Sequence, residues 1–262
     1  MATQWTGGGD GVSWEDPNNW DNDVPGVNFS DSTIAGAFVV CGSSNPGVCA
    51  LSGGAQLTFE SSTNSGSVTG GGTGFVNAIN AGTVESASFS GASENVGTVS
   101  GTADFFGTSY NSGTVFGIVV FWENSHNAST LPSNATFNDF ARNGASGLVS
   151  GNATFNDESD NIGTVGGNAI FNGNSVNTGT VSGNATFNTS SVNNGTVSGN
   201  AALNADSINN GTVSGFLQLP WTRDGLNLRS THASTRVQFL DVPEGGGGGA
   251  GSLSFRGGLS IS

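Results

Sequence analysis

The stretch "NIGTVGGNAIFNGNSVNTGTVSGNATFN", residues 161–188, spells nearly one phrase twice. Aligned on Gly-Thr-Val or its equivalents, the phrase begins at Gly66, Gly82, Gly97, Gly113, Ser129, Gly147, Gly163, Gly179, Gly195 and Gly211. Most steps are 16 residues, one is 15 and one is 18. A degenerate copy, "CALSGGAQL", begins at Cys49, so about eleven copies cover residues 49–220. Within each, V-x-G-x-A-x-F alternates with period two, the signature of a strand with one buried face. Val165, Gly167, Ala169 and Phe171 are expected inward, and Thr164, Asn168 and Asn172 outward. One short strand and its turns cannot bury an apolar face alone, but stacked copies can. The period is too short for a helical hairpin, and no 3.6-residue apolar stripe is present.

The expected fold is therefore all-β: a right-handed-type parallel β-solenoid with one copy per coil. At about 4.8 Å per coil, eleven coils would make a rod of roughly 50 Å. Phe105, Phe121, Phe137, Phe155, Phe171 and Phe187 occupy one column of the alignment, continued by Leu203 and Leu219. They form the expected core ladder. Asn111, Asn127, Asn161, Asn177, Asn193 and Asn209 recur two residues before the Gly-Thr-Val start. Stacked asparagine amides can hydrogen-bond from coil to coil, and the Asn-x-Gly grouping also suits a tight turn with positive φ.

Three regions follow. Residues 1–48, "WTGGGDGVSWEDPNNWDNDVPG" among them, are rich in tryptophan and lack the repeat. They are read as an N-terminal cap, because a solenoid whose β-edge is uncovered polymerises. Residues 49–220 are the repeat domain. Residues 221–262 hold four of the five arginines and a "EGGGGGAG" run between two strand-like segments. Trp5, Trp14 and Trp20 in the cap, with Arg223, Arg229 and Arg236 near the C-terminus, are the candidate docking residues.

Composition narrows the partners. The chain has 44 glycines, 9% charged residues and a net charge of −14, with no lysine; ordinary soluble domains are about a quarter charged. That balance opposes binding to a nucleic-acid backbone or to an anionic membrane. Seventeen phenylalanines and five tryptophans, recurring in register, oppose disorder. No secretory signal is read at the start, and no run approaches the roughly 20 apolar residues of a membrane helix. Cys41 and Cys49 bracket "GSSNPGV", a spacing that fits either a disulfide loop or two thiols.

No catalytic, cofactor or metal site is expected. The two histidines are His126, beside the asparagine column, and His232. Asp157, Glu158 and Asp160 belong to one coil and read as solvated turns. Asp10, Glu15, Asp16, Asp21 and Asp23 could offer oxygen ligands to calcium, but lack EF-hand spacing and read as turn and capping carboxylates. Thr83, Thr98, Thr114, Thr130, Thr164, Thr180, Thr196 and Thr212 form an outward column. A regular threonine array would suit ice binding, although Glu85, Phe116 and Gly166 interrupt the neighbouring position.

The tryptophan segment resembles the W-x-G-G-x-G-x-W…N-W…V-P-G opening of bacterial surface β-helical adhesins and of similar phage segments. The "GTVSGNATFN" copies look like the repeats of phage tail-fibre, spike and other virion proteins. The resemblance implies a non-enzymatic structural protein of a virion, a capsid decoration or a tail-fibre or spike component. Its implied partners are capsid or tail proteins, further copies of itself with a trimer the expected state, and host-surface glycans. The alternative it implies is a bacterial cell-surface adhesin or glycan-binding module, with an ice-binding solenoid third.

Overall fold

The computed structural model describes residues 3–25, 32–45, 47–220 and 236–240, the last five and Pro220 by backbone alone. Its fold is an all-β parallel solenoid of about 12 turns with a tryptophan-rich N-terminal cluster. Contacts divide the chain into two compact units, residues 1–135 and 136–262.

The second unit displays the repeat in its regular form. Each coil contributes three short strands, one to each of three faces. On the Phe face, Ala153–Phe155, Ala169–Phe171, Ala185–Phe187 and Ala201–Leu203 pair in parallel, with Phe171 opposite Phe187. The Asn face stacks Asp160–Asn161, Val176–Asn177, Val192–Asn193 and Ile208–Asn209. The Thr face stacks Thr164–Val165, Thr180–Val181, Thr196–Val197 and Thr212–Val213. The valines of the Thr face and the leading alanines and the phenylalanines of the Phe face are buried, and the Phe137, Phe155, Phe171 and Phe187 rings stack at 4.8 Å between centroids and 5–6° between planes. Burying each ring contributes about 1.5–3 kcal/mol, and offset stacking adds to it.

The asparagine column is the polar half of this core. Asn143, Asn161, Asn177, Asn193 and Asn209 are completely buried. Each of the first four donates Nδ2 to the Oδ1 of the next, at 2.6–2.8 Å. A buried amide without partners would be costly; here the stack itself supplies them. A second ladder lies just past the phenylalanines, where Asn156, Asn172, Asn188 and Asn204 each donate backwards to the preceding amide at 2.8 Å. Asn172, expected outward, is half-buried by this pairing. Gly167, expected inward, is also half-exposed, because it lies in the turn rather than in the strand.

The positive-φ turn is displaced from its expected place. It follows the phenylalanine, at Asp157, Gly173, Thr189 and Ala205, not the Asn-x-Gly group. Glycine suits the latter for another reason: a Cβ on Gly179 would lie 2.0 Å from the Gly163 carbonyl oxygen of the preceding coil. The Asn-x-Gly glycine permits close backbone approach, with the chain in a conformation any residue adopts.

The first unit builds the same faces. Phe59, Phe75, Phe89, Phe105 and Phe121 stack at 4.6–5.1 Å, and the amides of Asn45, Asn64, Asn80, Asn95, Asn111 and Asn127 form an unbroken ladder at 2.8–2.9 Å. The stacking reaches further toward the N-terminus than the recognisable repeat. Ser32–Ala35 pairs with Val48–Ser52, Phe38–Cys41 pairs with Gln56–Glu60, and Thr3–Gln4 pairs with Ser32–Ala35.

A column of buried serines, Ser159, Ser175, Ser191 and Ser207, stands beside the Asn ladder with hydroxyls that have no hydrogen-bond partner; Ala141 fills the same column. The two columns therefore respond oppositely to alanine. Asn177→Ala orphans the Asn161 donor and the Asn193 acceptor, and is expected to cost about 2–5 kcal/mol. Ser175→Ala, removing an unpartnered hydroxyl, is expected to be neutral or stabilising. Chemical denaturation of the two variants checks this; equal destabilisation would contradict the ladder's role.

Candidate functional site

The N-terminal segment covers the outer edge of the first strand, Thr3–Gln4. Residues 17–21 fold over the first strand: Asn19 O accepts from Thr6 N at 2.7 Å, Gln4 O accepts from Asp21 N at 3.0 Å, and the Asp21 carboxylate accepts from Gln4 N at 2.7 Å. The backbone edge that could recruit another strand is thereby occupied. Trp5, Trp14 and Trp20 pack edge-to-face at 4.9–5.0 Å and are all buried; Trp20 Nε1 donates to Trp14 O.

Among the described residues, every acid of this segment accepts from a backbone N–H. Asp10 accepts from Val12 N, Ser13 N and Asn19 Nδ2 at 2.7–2.9 Å, and those bonds, the one from Val12 foremost, hold its carboxyl far below the usual range. Asp16 caps the short 3-10 helix Pro17–Asn19 through Asn18 N, also accepts from Asp10 N, and its pKa is lowered for that reason. Glu15 accepts from Gly42 N and Asp23 from Val24 N. Among the described residues no group of three or more His, Cys, Asp or Glu is placed to hold a metal ion. Cys41 and Cys49 are free, buried thiols; burial pushes Cys41 up to about 12 and Cys49 up to about 11.

Of the other residues singled out from sequence, the phenylalanine and asparagine ladders are inside the coils. Arg223, Arg229 and His232 lie outside the described residues, and Arg236 begins a strand, Arg236–Leu240, paired in parallel with Phe216–Pro220. His126 is half-buried on the Asn face and meets Tyr110 edge-on at 5.1 Å. Asp160 forms an ion pair with Arg142 at 3.1 Å. Both partners are solvated enough for it to contribute little.

The surface feature that departs from the repeat lies on the outer side of the Phe face of the first unit. Here the coil length varies. "VTGGGTGF" adds a bulge between Val68 and Gly72, and "VESASF" omits a turn residue, so that Ser67–Val76 and Thr83–Ser90 run as long strands. Their outward positions carry almost no side chain: Gly72 and Gly74 on one strand face Ser86 and Ser88 on the next. The result is a trough of 310 Å³ whose lining includes Thr58, Gly72, Gly74, Ser88, Thr102 and Asp104. Gln56 and Ser86 complete its hydroxyl- and amide-bearing sides. Partial burial raises the Asp104 carboxyl above its ordinary range. Thr73 also borders the trough, and its hydroxyl, in a residue only 2% exposed, has no hydrogen-bond partner.

Strand register places apolar residues at both ends of this trough. Phe38, 53% exposed, pairs with Gln56 in the coil before it. Ile118, 57% exposed, precedes Val119, the partner of Ala103, in the coil after it. Trp122 stacks on Phe106 at 6.2 Å and 4° on the same flank. Repeat-based reading passes over these residues because it averages coils. The signal was in the deviations, namely glycines at outward strand positions and the 15-residue step.

Compared with protein-family models, with curated proteins and with solved structures, the chain matches none of them.

The cap should resist acid until its carboxylates protonate. A lowered folded-state pKa stabilises fully above the ordinary aspartate value of about 3.9 and loses that contribution as pH falls through the lowered one. Tryptophan fluorescence of the cap is therefore expected to stay constant from neutral pH down to about pH 4 and to change only below it. A transition centred near neutrality would contradict the Asp10 and Asp16 assignments.

Proposed function

We propose that this chain is a non-enzymatic structural component of a phage virion, a rigid element displayed on a capsid or a tail. The observation that supports it most is the allocation of side chains in each coil. The inward phenylalanine, alanine, valine and asparagine positions repeat with little change and are consumed in coil-to-coil ladders. The outward positions vary from coil to coil, as Thr154, Ile170, Thr186 and Ala202 do along one column. Such a stack gives stiffness, because each interior coil is bonded to two neighbours, and leaves its outer surface free to diverge. The acidic surface keeps copies soluble and apart until assembled.

In this reading the chain docks by one of its ends. The cap tryptophans are turned into the cap, so contact there would be made by its polar shell; the arginine-bearing C-terminal region is the other candidate. Its partners are capsid or tail proteins and further copies of itself, a trimer being the proposed state.

A second reading, a bacterial cell-surface adhesin, is favoured by the trough, a feature that a purely mechanical rod does not require. Immunogold electron microscopy of the source culture, with an antibody to the purified chain, separates the two. Gold on sedimentable particles is the expected result. Gold confined to cell envelopes would overturn the virion reading in favour of the adhesin. Light scattering of the purified chain is expected to give three times the chain mass, and a monomer at all concentrations would remove the trimer.

A further inference from the structure

The trough on the first unit is a ladder of three polar rungs and one of glycine between two apolar stops. Going along the coils, the outward pairs are Phe38 with Val40, Gln56 with Thr58, Gly72 with Gly74, Ser86 with Ser88, then Thr102 with Asp104. Ile118 and Val120 close the far end. Five steps of about 4.8 Å set the two stops about 24 Å apart. The occupant that fits is extended, runs across the strands, and presents a repeating polar edge.

Three observations choose its chemistry. The rungs offer hydroxyls and an amide, each able to donate and to accept, and one carboxylate, with no cation among the lining residues. A net charge of −14 repels polyanions. An added peptide strand finds no backbone edge on this surface, because the strands that line it are already paired on both sides. A neutral glycan satisfies all three: one pyranose ring extends its chain by nearly one coil step, its hydroxyls meet the rungs, and its apolar ring faces rest on Phe38 and Ile118. We propose that the trough is a binding site for an extended neutral oligosaccharide lying along the coil-stacking direction, with Asp104 and Ser88 as hydrogen-bonding residues and Phe38 and Ile118 as the end contacts. The proposal holds whether the chain is carried on a particle or on a cell.

Gly72 provides a clean test, because a Cβ there meets nothing within 4 Å and its φ is an ordinary one. Gly72→Leu fills the trough from its floor without disturbing the coil. The full-length chain and this variant are titrated with β-1,4-linked glucose and N-acetylglucosamine oligosaccharides, from disaccharide to hexasaccharide, by calorimetry and by protein NMR shifts. Affinity is expected to rise with length up to about five rings, the number of coil steps between the stops. In Gly72→Leu, and in Asp104→Asn, it should fall about tenfold or more at an unchanged melting temperature. No saturable binding by any oligosaccharide of either series would overturn the proposal, as would equal binding by Gly72→Leu. Tighter binding of an acidic peptide or a polyanion than of every neutral sugar would do so too.

Discussion

In a parallel solenoid the backbone hydrogen bonds between coils fix one distance, about 4.8 Å, and every side-chain column must be compatible with its own copy at that spacing. Phenylalanine rings stacked at 4.8 Å and nearly parallel meet the condition, as do asparagine amides, whose donor on one coil reaches the acceptor on the next at 2.8 Å. Alanine and valine meet it by filling a narrow interior. Glycine meets it where backbones of adjacent coils approach too closely for a Cβ. The low charge of the chain follows from the same condition, since a column of like charges would repel itself at every step.

The interior accordingly carries a continuous polar column. Asn177 and its column are wholly buried, yet their donors and acceptors are matched to one another rather than to water. The two asparagine ladders donate in opposite directions along the stack. A ladder of this kind has a high local cost if one rung is lost, because both neighbours are orphaned at once. It also fixes register: a slip by one residue would set Val192 or Asn194 opposite Asn177 and turn the buried Asn193 amide outward. The ends need separate solutions. At the N-terminal one, Asp10, Asp16 and Asp21 turn their carboxylates onto backbone N–H groups while three tryptophans close the core.

Much of this was legible in the sequence, because a repeat announces its own columns. The period of Phe155, Phe171 and Phe187 gave the coil, and the recurrence of Asn161, Asn177 and Asn193 gave the ladder. What escaped had no repeat to carry it. The first coils, around Thr3–Gln4 and Phe38–Cys41, lack the consensus although their backbones continue the pairing. The second amide ladder was hidden because Asn172 alternates as an outward residue would. The turn was misplaced because Asn-x-Gly commonly signals positive φ, whereas here its glycine avoids a clash. The trough was invisible for the opposite reason: it exists only where "VTGGGTGF" and "VESASF" break the pattern.

Buried asparagine amides, bonded coil to coil, hold the stack in register. Hydrogen exchange of the Asn side-chain NH2 groups, followed by NMR on the selectively labelled chain, reads these bonds one by one. Asn161, Asn177 and Asn193 are expected to retain their Nδ2 protons far longer than the exposed Asn174 and Asn194. Exchange of the buried amides as fast as that of the exposed ones would contradict that role.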